Sequence, residues 1–251
     1  MWKRRAIPVL ALTFFPCALS AQNNADASAG VHNPVLVTAA SAIVPGAGQA
    51  IMRQKRSAIY LALEAAGLGY YFARHNRGVR DRDTYRGLSR TVARAEFSPN
   101  GPSGNWDYFE RMEKYVESGV YDVVNGGDVD PESNEETFNG AMWLLARQTF
   151  WRDPAVPPGR ESTEYRSAIE FYVSRAVKPE YRWSWSGNPE AFQRFRAAIA
   201  SSNSAFRDAD QIISLVLANH FLSAVDAYTS VRLRLRKAGN GSTALVGSWS
   251  F

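Results

Sequence analysis

Two polar stripes inside apolar segments contain the residues of this sequence best suited to acid–base chemistry. The first stripe recurs at helical spacing and consists of Tyr60, Glu64, Gly67, Tyr71 and His75. The second consists of Asn219, Ser223, Asp226 and Ser230, with His220 at its edge. Carboxylates beside a histidine and hydroxyls can transfer protons, so Glu64, His220 and Asp226 form a candidate hydrolase-type catalytic set. We favour the alternative, a hydrogen-bonded seam that fixes helix register while arginines neutralise Glu64 and Asp226.

Metal and cofactor sites have little support in the sequence. The three histidines, His32, His75 and His220, are not spaced as a ligand pair. An acidic stretch at positions 125–136 offers oxygen atoms for calcium but lacks EF-hand spacing, which favours a solvated loop. The segment Pro45-Gly46-Ala47-Gly48 lacks the Lys-Ser/Thr pair that completes a phosphate loop. We therefore expect no metal and no cofactor.

Two tryptophans close together, Trp183 and Trp185, admit two interpretations. Exposed, coplanar indoles would form an aromatic platform for a glycan. Aromatic residues next to the start of a helix more often lie in a core or an interface, and we favour that interpretation.

The hydrophobic periodicity predicts a mainly α fold, an irregular multi-helix bundle with an N-terminal helical hairpin. The predicted helices cover residues 35–44, 57–75, 74–94, 106–119, 137–151, 162–177, 189–201 and 205–236. The third of these is amphipathic and rich in arginine. Only residues 244–251 alternate in the manner of a strand, which predicts a short C-terminal tail strand.

The first 21 residues have the pattern of a secretory signal peptide. Lys3, Arg4 and Arg5 precede a short apolar stretch, and small residues lie just before Gln22. The single cysteine, Cys17, lies inside this segment, so the mature chain would have no disulfide. We expect export to the periplasm or envelope membrane of a Gram-negative bacterium. Residues 22–34 are then a disordered lead-in, 35–240 a single helical domain and 241–251 a C-terminal tail.

The charge of the chain gives little reason to expect nucleic-acid binding. The formal net charge is +5, and loss of the three cations of the signal peptide lowers it to +2. No nucleic-acid-binding motif is present, and an exported protein meets no obvious nucleic-acid target.

Membrane association is suggested by charge segregation rather than by helix length. A spanning helix needs about 20 apolar residues, whereas the uncharged segments at 35–44 and 211–225 are short. The segment 57–73 is nearly long enough, but Glu64 at its centre would cost about 2.5–3.5 kcal/mol in hydrocarbon. We expect none of these segments to span convincingly alone. Cations at the helix ends can instead reach anionic headgroups while apolar faces lie in the interface.

Two sequence boxes lie near the ends of the helical region. The first, S-x-x-x-P-G-x-G-Q, contains Ser41, Pro45, Gly46, Gly48 and Gln49. The second, N-H-x-x-S-x-x-D-A, contains Asn219, His220, Ser223 and Asp226. We predict that the glycines of the first box form a close-packing corner. That corner brings the stripe of Glu64 towards the second box.

The two boxes resemble those of an uncharacterised family of exported or membrane-associated bacterial proteins, known as a domain of unknown function. The resemblance implies an α-helical envelope protein and supplies no activity and no catalytic residue. We therefore expect a non-enzymatic helical cell-envelope protein that associates with a membrane surface or a membrane-protein partner. The alternative is a soluble periplasmic hydrolase-type enzyme that uses Glu64, His220 and Asp226. The sequence predicts no nucleic-acid partner and identifies no small-molecule ligand.

Overall fold

The computed structural model describes residues 33–123 and 128–239, and this part of the chain is mainly α-helical, as predicted. The α-helices are α1 (Pro34–Ile43), α2 (Ala47–Ile51), α3 (Ser57–Leu88), α4 (Trp106–Lys114), α5 (Phe138–Phe150), α6 (Thr163–Arg175) and α7 (Pro189–Gly239). A π-helical turn, Ser89–Ala93, extends α3, and a 3₁₀ turn, Pro179–Tyr181, precedes α7. Strands β1 (Asp122–Val123) and β2 (Val129–Asp130) pair antiparallel.

Three predicted helix boundaries are wrong, and in the case of α3 packing explains why. The segments 57–75 and 74–94 form the single helix α3, although Gly67 and Gly78 lie in its interior. A Cβ atom at these positions would meet Val216 and Phe206 of α7, so each glycine admits a neighbour that compensates its low helix propensity. The segments 189–201 and 205–236 likewise form one helix, α7. Helix α4 ends at Lys114 rather than at residue 119.

Helix starts follow the expected capping chemistry. The Ser162 hydroxyl accepts a hydrogen bond from the Tyr165 N–H at 3.2 Å and caps α6. Pro189 is the first residue of α7, where its missing N–H costs nothing. Asn33 caps α1 by accepting from the Val35 N–H at 2.9 Å.

The buried apolar residues form three clusters. The central cluster joins α4 and the start of α7 and includes Phe109, Met112, Trp183 and Phe195. A second cluster, which contains Trp143 and Tyr172, lies between α5 and α6. The third is small and consists of Val37, Met52, Ala227 and Val231, at the contact of α1 and the α2 corner with α7.

The two helices of the predicted N-terminal hairpin, α1 and α3, both pack against α7. The one-turn helix α2 lies within the corner that joins them. The predicted signal peptide at 1–21, most of the predicted lead-in and the predicted tail strand at 244–251 lie outside the described residues. Asn33 and Pro34, the last residues of that lead-in, already cap and begin α1.

Candidate functional site

The glycine corner is shaped by backbone conformation and by close approach. Gly46 has φ 89°, in the left-handed region that favours glycine. At Gly48, a Cβ atom would collide with the backbone of Val37 and would lie 2.5 Å from the Ser41 hydroxyl oxygen. The Gly48 N–H donates to the same hydroxyl at 2.8 Å. The first box therefore folds α2 directly onto α1.

Gln49 is the hub that connects this corner to α7. Its side chain is fully buried, and its amide oxygen accepts from the Ser41 hydroxyl at 2.9 Å. Its amide nitrogen donates to the Ser223 carbonyl oxygen and to Asp226 Oδ2, both at 2.9 Å. The Gly46 N–H donates to the Ser223 hydroxyl at 2.7 Å. The two boxes thus bind each other through buried hydrogen bonds.

Asp226 forms one of the charge-compensated pairs between the helices. Arg56 Nη1 lies 2.8 Å from Asp226 Oδ1, and Arg56 also donates to the Ser230 hydroxyl. The Asp226 side chain is 20% exposed. An arginine therefore neutralises Asp226, as the seam hypothesis predicts.

Glu64 and His220 form another of these pairs. His220 Nε2 lies 3.0 Å from Glu64 Oε1, and its Nδ1 lies 2.9 Å from the Ala42 carbonyl oxygen. Asn219 donates to Glu64 Oε2 at 3.2 Å and to the Tyr60 carbonyl oxygen at 3.1 Å. The predicted contact between the Glu64 stripe and the second box is present. The prediction that an arginine neutralises Glu64 is wrong, because His220 occupies that place.

Proton counting shows that the Glu64–His220 pair carries no net charge. A carbonyl oxygen only accepts, so His220 Nδ1 carries a proton. The contact between Nε2 and Glu64 Oε1 then holds one further proton, on either the imidazole or the carboxyl group. Both arrangements have zero net charge.

The arrangement divides the candidate catalytic set rather than assembling it. Asp226 bonds Gln49 and Arg56, whereas Glu64 bonds His220. Both imidazole nitrogens of His220 are occupied by protein groups, so neither is left to accept a proton from a nucleophile. The geometry favours a structural seam. We call the set Ser41, Gln49, Glu64, Asn219, His220, Ser223 and Asp226 the polar seam.

The outer surface around the polar seam is apolar. Ile43 is 75% exposed, Phe221 68% and Leu217 64%, whereas Ser41, Gln49 and Ser223 inside are fully buried. Further exposed apolar residues on the same helices are Val35, Leu36, Ile59, Leu61, Leu63, Phe72, Leu215, Leu222 and Val225. A water-soluble bundle has the opposite arrangement, with apolar side chains inside. Contiguous exposed apolar surface of this kind marks an interaction site.

The apolar surface has defined ends. On α3, the 17 residues 57–73 lie between Arg56 and Arg74, and on α7 the 21 residues 211–231 lie between Asp210 and Arg232. At 1.5 Å per residue these segments measure about 25 Å and about 31 Å. We call them, together with α1, the apolar band. Arg74 pairs with Asp208 at 3.5 Å where the band ends.

One described helix, the stretch Pro189–Arg236 of α7, is long and apolar enough to cross a membrane. Its most apolar 18-residue window is only 22% buried, unlike a core helix of a soluble protein. We expected none of the apolar segments to span convincingly alone, and by length and composition the complete helix α7 is a candidate span. The uncharged segment of the sequence covers only residues 211–225, but the helix continues beyond both of its ends.

The other candidate sites were the tryptophan pair and the acidic loop. Trp183 and Trp185 are both 1% exposed, so the glycan-platform hypothesis is wrong and the core interpretation is confirmed. In the acidic loop, Glu132 accepts from the backbone N–H groups of Val120 and Asn134, both at 2.9 Å. Among residues 33–123 and 128–239, no group of three metal-ligating side chains lies together.

Two ionisable groups beside that loop have shifted pKa values. Burial raises the pKa of the Glu132 carboxyl, but hydrogen bonds from backbone N–H groups outweigh it, and the net pKa is lowered. Burial raises the pKa of Tyr172 to about 12. Its hydroxyl accepts from the Glu132 N–H at 3.3 Å, so both groups fix the loop rather than perform chemistry.

No protein-family model, curated protein or solved structure matches this chain. Functional inference therefore depends on the geometry of the polar seam and the apolar band.

Proposed function

We propose that this chain is a non-enzymatic α-helical protein of the cell envelope, and that its α1–α3–α7 bundle inserts into a membrane. The observation that carries the proposal is the polarity of this bundle, in which hydrogen-bonded polar side chains lie between the helices beside a small apolar cluster, and large apolar side chains lie outside. In water this arrangement exposes leucines and buries hydrogen-bonding groups. In a bilayer it satisfies both, because lipid contacts the leucines and protein contacts the polar groups.

The dimensions of the apolar band support the same proposal. A bilayer hydrocarbon core is about 30 Å thick, close to the about 31 Å of the α7 segment and somewhat more than the about 25 Å of the α3 segment. A shorter segment is accommodated by local thinning or by flanking side chains that reach the interface. Arg53, Lys55, Arg232 and Arg236 are exposed at one end of the band, where they can contact anionic headgroups.

The acids within the band do not oppose insertion. An isolated acid at the centre of a spanning helix costs about 2.5–3.5 kcal/mol. Glu64 and Asp226 are not isolated, because His220 and Arg56 compensate their charges inside the bundle. Intramembrane ionisable residues that face inward and pair with one another are the arrangement that lipid tolerates. The soluble-hydrolase alternative instead needs a free imidazole nitrogen, which His220 lacks.

The cellular address forms part of the proposal. The signal-like first 21 residues support export, and the two sequence boxes resemble those of exported bacterial proteins. In this proposal the band anchors the central cluster and the α5–α6 cluster at a membrane of the envelope.

Envelope fractionation followed by alkaline carbonate extraction tests the proposal. An inserted protein stays in the carbonate-washed membrane pellet and is released by detergent. Release by carbonate from the membrane fraction would instead indicate docking on a membrane-protein partner. Recovery as a monodisperse protein in the soluble fraction, without detergent, would refute membrane association.

A further inference from the structure

A small cavity outside the apolar band is lined by three arginines on successive turns. Arg86, Arg90 and Arg94 recur every four residues where α3 passes into the π-helical turn Ser89–Ala93. The cavity has a volume of about 200 Å³ and is bordered on one side by the loop at residues 99–103. We call it the arginine pocket. π-helical turns occur frequently at functional sites.

Among the described residues, no carboxylate oxygen lies within 4.0 Å of the guanidinium nitrogens of these three arginines. Arg90 is exposed, so water solvates its charge. Arg94 is only 4% exposed, yet its hydrogen bonds go to neutral groups, the carbonyl oxygens of Pro102 and Glu180 and the Ser98 hydroxyl. A buried cation without an anion is unfavourable. The pocket is therefore electrostatically incomplete.

The surrounding loop is built to hold Arg94 in place. A Cβ atom at Gly101 would collide with the Arg94 guanidinium and would lie 2.8 Å from the Glu180 carbonyl oxygen. The loop can cover Arg94 only because position 101 has no side chain. Arg94 is thus oriented before any ligand arrives, which lowers the entropic cost of binding.

We propose that the arginine pocket binds a phosphate group carried by a soluble small molecule. Planar guanidinium groups match the oxygen geometry of phosphate and form charge-assisted hydrogen bonds with it. Ser89 and Ser103 line the same cavity. Arg86 lies 12 residues beyond Arg74 on α3, which places the pocket about 18 Å outside the band along the helix axis. The proposal is independent of membrane insertion, since none of these residues belongs to the band.

Binding to the full-length protein tests the proposal with two probes. Inorganic phosphate is titrated into detergent-solubilised protein by calorimetry, at constant ionic strength set with chloride. Nanodiscs that contain phosphatidic acid are compared with nanodiscs of phosphatidylcholine alone. The variants are Arg86→Gln and Arg90→Gln, which remove one guanidinium each. Arg80→Gln is the matched control, because Arg80 is exposed on the same helix outside the pocket.

We expect saturable binding of inorganic phosphate and a loss of about tenfold in affinity in each pocket variant. Arg80→Gln should bind as the unmodified protein does. Absence of phosphate binding would overturn the proposal, and so would binding to phosphatidic acid nanodiscs alone. Equal weakening in Arg80→Gln would also overturn it, because the effect would then reflect net charge alone.

Discussion

The substitution Phe221→Lys distinguishes a membrane-inserted bundle from a soluble one. Phe221 lies at the centre of the 21-residue segment of α7 and is 68% exposed. Replacement of an apolar residue by lysine at a helix centre in hydrocarbon costs about 3–4 kcal/mol on insertion scales. That cost corresponds to about a 100- to 1,000-fold shift away from the inserted state. In water, only the buried third of the side chain would be lost, which costs about 1 kcal/mol.

The assay is the fraction of protein that resists carbonate extraction, measured by immunoblot. Leu145→Lys is the control, because Leu145 lies on α5 outside the band and is 42% exposed. We expect Phe221→Lys to lose most of its carbonate resistance and Leu145→Lys to keep it. If Phe221→Lys remains as resistant as the unmodified protein, the apolar band does not contact hydrocarbon. Equal loss in both variants would point to general misfolding, and the inference from polarity would fail.

Two further substitutions test the packing of the corner and the pH dependence of the acidic loop. Gly48→Ala should lower the free energy of unfolding by about 1–3 kcal/mol, because the new Cβ would overlap Val37. Gly69→Ala, which meets nothing within 4 Å on α3, should be neutral or stabilising in the same thermal unfolding assay in detergent. A Gly48→Ala protein as stable as the Gly69→Ala protein would contradict the close-packed corner. Glu132→Gln should destabilise by about 1 kcal/mol at pH 7. The lowered pKa of Glu132 means that its stabilising effect is present above the unfolded-state pKa and is lost as the pH falls through the folded-state pKa. The difference between the two proteins should therefore vanish in acid, and a difference that stays constant down to pH 3 would refute this role.

The contact between the two boxes was predictable, because the residue spacing within each short segment shows which side chains share a helical face. Periodicity placed Glu64 on one helical face and Asn219, Ser223 and Asp226 on another, and the glycines indicated where helices approach closely. The partner of each carboxylate was harder to predict from the sequence. Helical spacing does not tell which of several cations reaches a carboxylate, so the choice of His220 for Glu64 required three-dimensional positions.

The continuity of α3 was not predictable from propensity. Gly67 and Gly78 weaken a helix by about 1 kcal/mol each when considered alone. The side chains that fill the space above them, Val216 and Phe206, lie more than 120 positions away in sequence. Tertiary packing therefore decides whether the helix continues through these glycines, and a short stretch of sequence does not contain that information.

The direction of the polar stripes was predicted, because a hydrogen-bonded seam between helices requires the polar faces to meet. Periodicity identifies two faces of a helix, but it does not show whether other elements of the fold cover the apolar face. In this chain the polar faces of α3 and α7 meet, and the apolar faces point outward. The arginine pocket was missed for a related reason. The sequence showed a cationic helix face, but only the fold shows that Arg94 is buried beneath the loop at Gly101.

A polar seam that lies inside an apolar band must have its charges compensated. Each buried acid has one cationic or proton-sharing partner, Arg56 for Asp226 and His220 for Glu64, so the interior of the bundle is neutral. Gln49 provides uncharged hydrogen bonds to the same helix, and the glycines bring the backbones close enough for those bonds to form. A bundle whose interior is neutral and hydrogen-bonded, and whose exterior is apolar, is therefore matched to lipid on both counts.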